Sequence, residues 1–490
     1  MQACAAQQLN VEDRKNIAIE VVSQKKTITQ AANDYDTSRK FIEQQRDKAL
    51  AGIENNFKEQ ESDVLFYLPI NKAWIHQLVL ALAMFCKASY RNIIAILDYL
   101  FDYKMAIGTV FNIINQASVN AEKINNAQDL SNIKEAAIDE MFLNNSPILT
   151  GVDLYSTYCF LLKDEDDREG ETWEKHLVVL KDQGLNPDKF IADFGSGLRL
   201  GLNLSYEDTP CHGDVFHVLF DLKKLSLYFR NRVKSRKTLV DKLLAKLGKA
   251  TKKEKNIELE KQLEIAEKDK EKFMFLSCNI SILVDWMAHD VLSIAGGSPE
   301  SRSMLYDYII SELKLLEELH PHKIKATRTT LENRKDNILA FTLDMDKEFE
   351  NIAEQFKGSK EDLWYLCELH RCERFSAKYY NRSEEIKKKL GMKDYIILMG
   401  LVGQVINTTT RASSLVENLN GRIRPFCNLR KQMGDRFTEL LKFFLNHNQL
   451  TCSRKKERKN KTPAAILNKQ EHAPWLEMLG FKHVEPIALI

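Results

Sequence analysis

The sequence predicts a multidomain α + α/β protein in which helical segments surround one mixed β-sheet. Glycine and proline number only 19 and 10 among the 490 residues, which favours long helices over turn-rich β-structure. Apolar residues recur at helical spacing near the N-terminus and through residues 222–400. Between these segments, residues 129–221 contain short runs of β-forming residues separated by turns, which is typical of strands.

Residues 1–55 predict a helix-turn-helix domain made of three short helices. Thr27 is placed to cap the second helix and Thr37-Ser38 to cap the third, and the small residues Ala31 and Ala32 suit a close helix crossing. In this geometry the start of the third helix faces DNA, and its polar side chains reach base edges or phosphates. The residues concerned are Arg39, Lys40 and Gln44. The alternative interpretation is a three-helix bundle with a solvated basic face.

A second helical DNA-binding domain is predicted over residues 66–128, after a polar linker at 51–66. Its apolar residues predict a buried helix at 78–85, followed by a pair of helices at 89–101 and 106–117. Two such modules in tandem suit a protein that holds an extended DNA site, whereas one module alone is weak evidence.

Residues 129–221 predict the first part of an α/β core built on a mixed sheet. Three adjacent strands are predicted at 136–142, 148–154 and 158–162, because each of these ranges is a run of β-forming residues and turn residues separate one run from the next. A helix, a fourth strand and another helix follow, and a further strand or strand-to-helix edge is predicted at 213–220.

The rest of the chain is predicted to be helical. Residues 222–400 form an all-α segment, within which the heptad-like apolar residues of 239–272 indicate a coiled-coil hairpin. Residues 401–447 contain helices that complete the core, and residues 448–490 form a basic tail. In this tail the run 453–461 has six Lys or Arg among nine residues. Its predicted DNA contacts are Lys455 and Lys456.

Three carboxylates in the predicted core suggest a metal-dependent site for phosphate chemistry. Asp139 lies in the first strand, Asp193 ends the fourth strand before a Gly-Ser-Gly turn, and Glu417 lies on a late helix. Oxygen ligands on separate elements suit two Mg²⁺ or Mn²⁺ ions bridged by a phosphate. Glu140 competes with Asp139 as the first ligand, because neighbours on a strand point to opposite faces. The alternative is that Asp193 only caps a helix and Glu417 is only a solvated helix residue. The chain has 69 acidic residues, so three of them can be selected without sharing a function.

Amide and guanidinium groups follow Glu417 on the same helix. Such groups position phosphates through directed and bidentate hydrogen bonds. The residues predicted to hold DNA phosphates beside the metal ions are Asn420, Arg422 and Arg424.

The order of these parts resembles that of DDE-type transposases of bacterial insertion sequences, in the retroviral-integrase (RNase H-like) superfamily. The matching runs are IDEMF, FIADFGSGLRLGL and VENLNGRIRPF, which contain the three acids. The resemblance implies an RNase H-like catalytic core in which Asp139, Asp193 and Glu417 bind two Mg²⁺ or Mn²⁺ ions. It also implies an enzyme that binds transposon ends, cleaves DNA and performs strand transfer. Glu417 follows Asp193 by 224 positions, which resembles the subset whose core is interrupted by a large helical insertion.

The resemblance also implies partners. These are double-stranded DNA, as transposon ends and as target, and further copies of the chain in a homodimer or larger oligomer, because two ends must be held together. In such insertions an aromatic residue stabilises a flipped base, and the candidates are Trp286 and Trp364. The alternative for both is a place in the helical core. The rival function is that of a domesticated, non-catalytic DNA-binding regulator that kept the fold.

Other classes of protein are disfavoured by what the sequence lacks. Nine cysteines without a CxxC pair predict reduced thiols. The sequence contains no Walker or GxGxxG motif, so nucleotide binding is not expected. The residues Cys211, His212 and His217 are too closely spaced for a usual zinc site, and a packed edge strand is expected there. No signal peptide or membrane span is apparent. We therefore expect a cytoplasmic, nucleoid-associated protein that does not enter the membrane.

Overall fold

The computed structural model describes residues 9–57, 65–249, 253–429, 433–453 and 455–485. The chain divides into two compact units. The described residues up to Asn71, together with those from His483 onward, form the first unit, and Lys72–Lys482 forms the second. No helix among the described residues is long and apolar enough to cross a membrane.

The first unit contains the three predicted N-terminal helices. They are α1 (Val11–Val22), α2 (Ile28–Asp34) and α3 (Arg39–Phe57). Thr27 caps α2 as predicted, since its hydroxyl accepts from the Gln30 amide while the Gln30 side chain accepts from the Thr27 amide. The small Ala31 side chain is fully buried where the helices cross, against Ile17 and Ile42. Helix α3 continues to Phe57, so the predicted linker begins later than expected, and residues 58–64 lie outside the described part.

The second unit begins with three helices and a five-stranded mixed sheet. The helices are α4 (Lys72–Met84), α5 (Tyr90–Phe101) and α6 (Ile107–Asn126). The strands are β1 (Glu135–Leu143), β2 (Ser146–Asp153), β3 (Cys159–Asp164), β4 (Lys189–Ala192) and β5 (Cys211–Gly213). Their order is β3-β2-β1-β4-β5; β2 is antiparallel to β1 and β3, whereas β4 is parallel to β1 and β5. The predicted strands are thus confirmed, and of the two alternatives for 213–220 the structure has the strand-to-helix edge, since the short β5 ends at Gly213 and a helix begins at Val215.

Both faces of the sheet are covered by helices. One face packs on α7 (Gly170–Asp182), α8 (Ser196–Ser205) and α19 (Pro463–Asn468). The other packs on α4 to α6, α17 (Ser414–Cys427), α18 (Asp435–His447) and α20 (Trp475–Met478). Residues 72–126 therefore share a core with the sheet, and they do not form a unit of their own as the predicted second DNA-binding domain would.

An all-α segment connects β5 to α17, as predicted. It begins with two long helices, α9 (Val215–Leu247) and α10 (Lys253–Trp286), which pack as the expected hairpin over Val240, Leu243, Leu259 and Ala266. One π-helical turn, Met287–Val291, follows. The remaining helices are α11 (Pro299–Leu319), α12 (Pro321–Asn333), α13 (Lys335–Gln355), α14 (Lys360–Arg371), α15 (Ala377–Leu390) and α16 (Met392–Thr408). This segment has a hydrophobic core separate from those on the sheet.

The predicted basic tail packs within the second unit from Arg458 to Trp475. Arg458 is buried and its Nη2 donates to the carbonyl oxygen of Leu154 at 2.9 Å. Thr462 caps α19, and Leu467 packs in the core beneath the sheet. The Trp475 ring meets Phe444 of α18 edge to face at 5.2 Å.

Candidate metal centre

Strand register aligns three aspartates where the parallel pairing of β1, β4 and β5 ends. Asp139 lies midway along β1, whereas Asp193 and Asp214 directly follow β4 and β5. Ile138 is opposite Ala192 in the parallel pair β1–β4, and Ala192 is opposite Gly213 in the pair β4–β5. In each case the next residue is an aspartate, and neighbouring strands lie about 4.8 Å apart. This edge of the sheet therefore carries a row of acids, Asp139, Asp193 and Asp214.

The Arg199 side chain of α8 holds the ends of β4 and β5 together. Its Nε donates to the carbonyl oxygen of Asp193 at 2.8 Å, and its Nη1 donates to that of Cys211 at 2.7 Å. Its Nη2 donates to the carbonyl oxygens of Ala192 at 3.1 Å and His212 at 3.2 Å. Because one guanidinium binds four carbonyl groups, the backbone that carries Asp193 is fixed on the edge of the sheet.

Asp214 caps α9 and orients a histidine one turn further on. Its fully buried carboxylate accepts from the Phe216 amide at 2.7 Å and from Nδ1 of His217 at 2.9 Å. The Asp214 oxygen that bonds to His217, Oδ2, also accepts from the hydroxyl of Ser413, which precedes α17. Asp214 thus fixes the His217 ring so that Nε2 points away from it, towards Glu417.

Helix α17 brings the third predicted acid and an amide to this edge. Glu417 Oε1 lies 3.9 Å from His217 Nε2. Asn420, three residues later on the same face, is buried and its Nδ2 donates to Asp139 Oδ2 at 3.0 Å. Arg424, one further turn along, is exposed and its Nη2 lies 3.8 Å from Glu417 Oε2.

These side chains meet in one cavity of about 360 Å³. One potential ligand atom from each of Asp139, His217 and Glu417 lies within 4.8 Å of the other two. The cavity is also lined by Asp193, whose Oδ1 accepts from the Gly195 amide at 2.9 Å. Two of the three predicted acids therefore belong to the closest group, and the third lines the same cavity.

Asp139, Asp214 and His217 have pKa values displaced from their usual ranges. Burial is the main cause that raises the pKa of Asp139 to about 7; the charges of Asp193 and Glu417 act in the same direction, whereas the Glu140 backbone hydrogen bond and the charge of His217 oppose them. The hydrogen bond to Asp214 raises the pKa of His217 to about 9. Burial works in the opposite direction on Asp214, but its hydrogen bonds with His217 and Ser413 hold its pKa below the usual value. At neutral pH His217 is therefore an imidazolium among carboxylates.

The donor atoms of the cavity fit a hard divalent cation. Asp139 and Glu417 supply carboxylate oxygens, which Mg²⁺ and Mn²⁺ prefer. Asn420 Oδ1 is a buried oxygen without a hydrogen-bond partner among the described residues, so it is a further acceptor in need of a cation or water. His217 fits better as a hydrogen-bond donor than as a ligand for these ions, because Asp214 keeps it protonated.

Glu140 is the less favourable first ligand. Its carboxylate is paired with Arg168, whose guanidinium also lies over the Phe142 ring at 5.4 Å. Asp139 lies in the close group with His217. The geometry therefore favours Asp139 and leaves Arg168 as a second cation at the rim of the cavity, beside Arg424.

Two predicted DNA contacts occupy other places. Arg422 is half-buried and its Nη2 donates to the carbonyl oxygen of Leu445 at 3.4 Å, away from the cavity that Arg424 lines. Trp364 is only 5% exposed and its indole N–H donates to Asp346 at 2.8 Å, so no ring face is available for a base. Trp286 is 39% exposed and keeps an accessible ring.

The remaining predicted contacts are on the surface. Those on α3 are exposed, as are the two lysines of the C-terminal segment: Arg39, Lys40, Gln44, Lys455 and Lys456. Lys455 lines a groove of about 760 Å³ along the side of α17 that carries Arg422. Within the second unit, neither Lys455 nor Lys456 lines the carboxylate cavity.

His217 and Asp214 are site residues that the sequence interpretation missed. The run CHGDVFH suggests only a crowded zinc motif or an edge strand, and the edge-strand interpretation is wrong for His217, which lies in the first turn of α9. The available signal was the spacing itself. An aspartate that caps a helix places a residue three positions later one turn above it. Comparison of the chain with protein-family models and with characterised proteins found no match.

Proposed function

We propose that the protein is a DNA transposase of the DDE type, which binds transposon ends and performs metal-dependent strand cleavage and strand transfer. The observation that carries the proposal is the convergence of Asp139 and Glu417, 278 positions apart, on one cavity with Asp193 and a protonated histidine. Carboxylates gathered from separate elements, with cations at the rim, suit the chemistry of a phosphodiester.

The architecture supports the RNase H-like part of the proposal. The sheet is mixed, with β2 alone running against the other strands, and helices cover both faces. Asp193 directly follows β4, at the carboxyl end of a parallel strand, where ligands bind in open α/β sheets. An all-α segment separates Asp193 from Glu417, as expected for a catalytic core interrupted by an insertion.

In the proposed site the metal is held by oxygen donors of the chain. Asp139 and Glu417 would bind one Mg²⁺ or Mn²⁺, with Asn420 Oδ1 close by, and Asp193 is placed for the second ion. Ions held there would supply the Lewis acidity that an in-line displacement by water or a 3′-hydroxyl needs at the attacking and leaving oxygens. Arg168 and Arg424 at the rim would hold the flanking phosphates.

His217 has the role of a proton-bearing group beside the scissile phosphate. Asp214 fixes the imidazolium through Nδ1, so the Nε2–H is directed into the cavity. From there it can donate a hydrogen bond to a phosphate oxygen where negative charge develops. Loss of the Asp214 carboxylate would remove both the orientation and the raised pKa of His217.

The partners follow from the reaction. Double-stranded DNA would be held by the exposed residues of α3 and by Lys455 and Lys456, and a homodimer or larger oligomer would bring two ends together. Such a protein would work in the cytoplasm, associated with the nucleoid.

The decisive experiment is Mg²⁺-dependent cleavage of a duplex that carries the DNA flanking the gene for this chain. We expect cleavage by the wild type and by Glu207→Gln, an exposed carboxylate away from the cavity. We expect none by Glu417→Gln, with DNA binding retained. Binding without cleavage by the wild type would favour the non-catalytic regulator. Cleavage that survives Glu417→Gln would show that the assigned acids are wrong.

A further inference from the structure

The two helices of the long hairpin differ sharply in charge. Residues 230–249, the outer part of α9 and the turn after it, contain eight Lys or Arg and one Asp. Residues 253–272, on the facing part of α10, contain six Lys and seven acidic residues. One helix of the pair is thus strongly basic and the other is nearly neutral, although the whole chain has a net charge of only +2.

The basic residues of α9 are not used to stabilise the hairpin. Five lysines of this stretch are exposed and form no ion pair with any described residue: Lys234, Lys237, Lys242, Lys246 and Lys249. Arg236 is the exception, since its Nη2 lies 3.4 Å from Asp269 of α10. On α10, by contrast, Lys268 is paired with Glu264 at 2.7 Å. Unpaired like charges along one helix repel each other, so the stretch is better explained by an external anion.

The shape of the stretch matches a nucleic-acid backbone. Twenty residues of helix extend about 30 Å, close to one turn of B-DNA. Lys242 and Lys246 are four positions apart, which places them on one side of the helix, and Lys249 follows in the turn after it. Val240 and Leu243 point instead into the hairpin interface. The exposed lysines of this stretch therefore form a cationic strip, which is interrupted by the exposed Asp241 and Leu244.

The strip is also connected to the metal centre by a single helix. His217 lies in the first turn of α9, and Lys237 lies about 30 Å further along the same helix. No break in α9 separates them. A duplex engaged at the cavity is thus within reach of the strip.

We propose that residues 230–249 form a binding surface for the phosphate backbone of duplex DNA. This inference rests on the proposed function, since the DNA it holds is the DNA that enters the metal centre. A second copy of the hairpin is a poorer partner, because the described parts of both hairpins carry excess positive charge and repel each other.

The test compares two matched sets of four substitutions. The first set is Lys237→Gln, Lys242→Gln, Lys246→Gln and Lys249→Gln on the strip. The control set is Lys261→Gln, Lys268→Gln, Lys270→Gln and Lys272→Gln on α10. Each set lowers the net charge of the chain from +2 to −2, so a general charge effect is the same in both. The probe is a 40-base-pair duplex of arbitrary sequence, and its affinity is measured as a function of salt.

We expect the slope of log K against log salt concentration to decrease in magnitude by about 2 to 4 for the strip set, because each lost phosphate contact removes about 0.9 from that slope. The control set should change it by less than about 1. Equal changes in both sets, or none in either, would overturn the inference. So would a loss of self-association, seen by sedimentation without DNA, with an unchanged salt slope, since the partner would then be a second copy.

The outcome is separable from that of the proposed function. Cleavage by the wild type with no effect of the strip set would leave the metal centre standing and remove the DNA strip. A steep salt slope that depends on the strip, in a protein that never cleaves DNA, would keep the strip and remove the catalytic role. A thermal unfolding profile of each set verifies that the hairpin is still folded.

Discussion

Replacing Asp139 by asparagine should make the metal-free protein more stable. The side chain is 5% exposed, and burial raises its pKa to about 7. An acid of this kind binds more protons in the folded than in the unfolded chain between pH 3.8 and 7. Its contribution to stability is therefore lost as the pH rises through this window. Asparagine removes the charge and keeps an oxygen to accept from Asn420 Nδ2.

The magnitude follows from the two pKa values. A folded value of about 7 against 3.8 for an exposed carboxyl corresponds to roughly 4 kcal/mol of destabilisation at pH 8. At pH 5 the folded carboxyl is protonated while the unfolded one is mostly charged, and the penalty shrinks to about 2 kcal/mol. Asp139→Asn should therefore gain about 4 kcal/mol at pH 8 and about half of that at pH 5.

Asp214→Asn is the matched control, with an effect of opposite sign. Asp214 is as buried as Asp139, but hydrogen bonds hold its pKa below the usual value, so its carboxylate stabilises the fold above that pH and loses this effect in acid. Substitution weakens its bonds with the Phe216 amide and His217. We expect a loss of about 1.5–3 kcal/mol at pH 8.

The assay is urea unfolding in buffer with a chelator, at pH 5 and pH 8, for the wild type and both variants. A gain for Asp139→Asn that is the same at both pH values would mean that the carboxyl is not penalised by its burial. A loss of stability in both variants would show that Asp139 is a structural acid like Asp214. Either result would refute the assignment of Asp139 as an acid kept for its function at the expense of stability.

Two further predictions concern other residues of the second unit. Burial lowers the pKa of His447 from 6.5 to about 4. The neutral imidazole therefore stabilises the fold fully above pH 6.5, and this stabilisation is lost as the pH falls towards 4. At pH 5 the free energy of unfolding of the wild type should be about 2 kcal/mol lower than at high pH, whereas that of His447→Gln should not fall in this way, as measured by urea unfolding. Arg424→Gln should reduce cleavage without changing stability, whereas the half-buried Arg422→Gln should destabilise the fold by about 1–3 kcal/mol; the opposite pattern would reverse their roles.

Much of the strand pattern and the helical hairpin could be predicted from local sequence. β-forming runs bounded by Asn, Pro and Gly indicate strands wherever they occur, and heptad-like leucines indicate a paired helix. The position of Asp193 beside Asp139 needs the register of a parallel pair, which local sequence does not specify. Arg422 illustrates a different failure. Glu417, Asn420 and Arg424 share a helix face by spacings of three and four, and Arg422 is out of phase with them, so helical geometry already excluded it.

His217 could not be chosen by residue type alone. Its neighbours Cys211 and His212 draw attention to zinc, and its role depends on a helix that begins within the same run of letters. The same holds for Trp364, whose burial depends on contacts with Asp346 and Phe349 from another helix. Side chains that act through long-range packing become visible only when the elements are placed in space.

The separation of Asp193 and Glu417 along the chain has little effect on the geometry of the site. Where the helical segment starts and ends, the Val215 amide donates to the Arg411 carbonyl oxygen at 3.1 Å, and the Ser413 hydroxyl donates to Asp214. The all-α segment therefore begins and ends at the same point of the sheet edge. Because the segment has its own hydrophobic core, its stability does not depend on the cavity.

A second connection joins the far end of the sheet to the same segment. Lys189 of β4 lies 2.9 Å from Glu135 of β1 and 2.7 Å from Asp344 of α13, and Thr410 donates to Glu135 at 2.8 Å. The segment is thus attached at both ends of the strands that carry Asp139 and Asp193. A helical segment held in this way can differ in length without moving the acids, while its outer hairpin would remain free for the proposed contact with DNA. The separation of the two tasks explains how a site assembled from distant residues can tolerate so long an insertion between them.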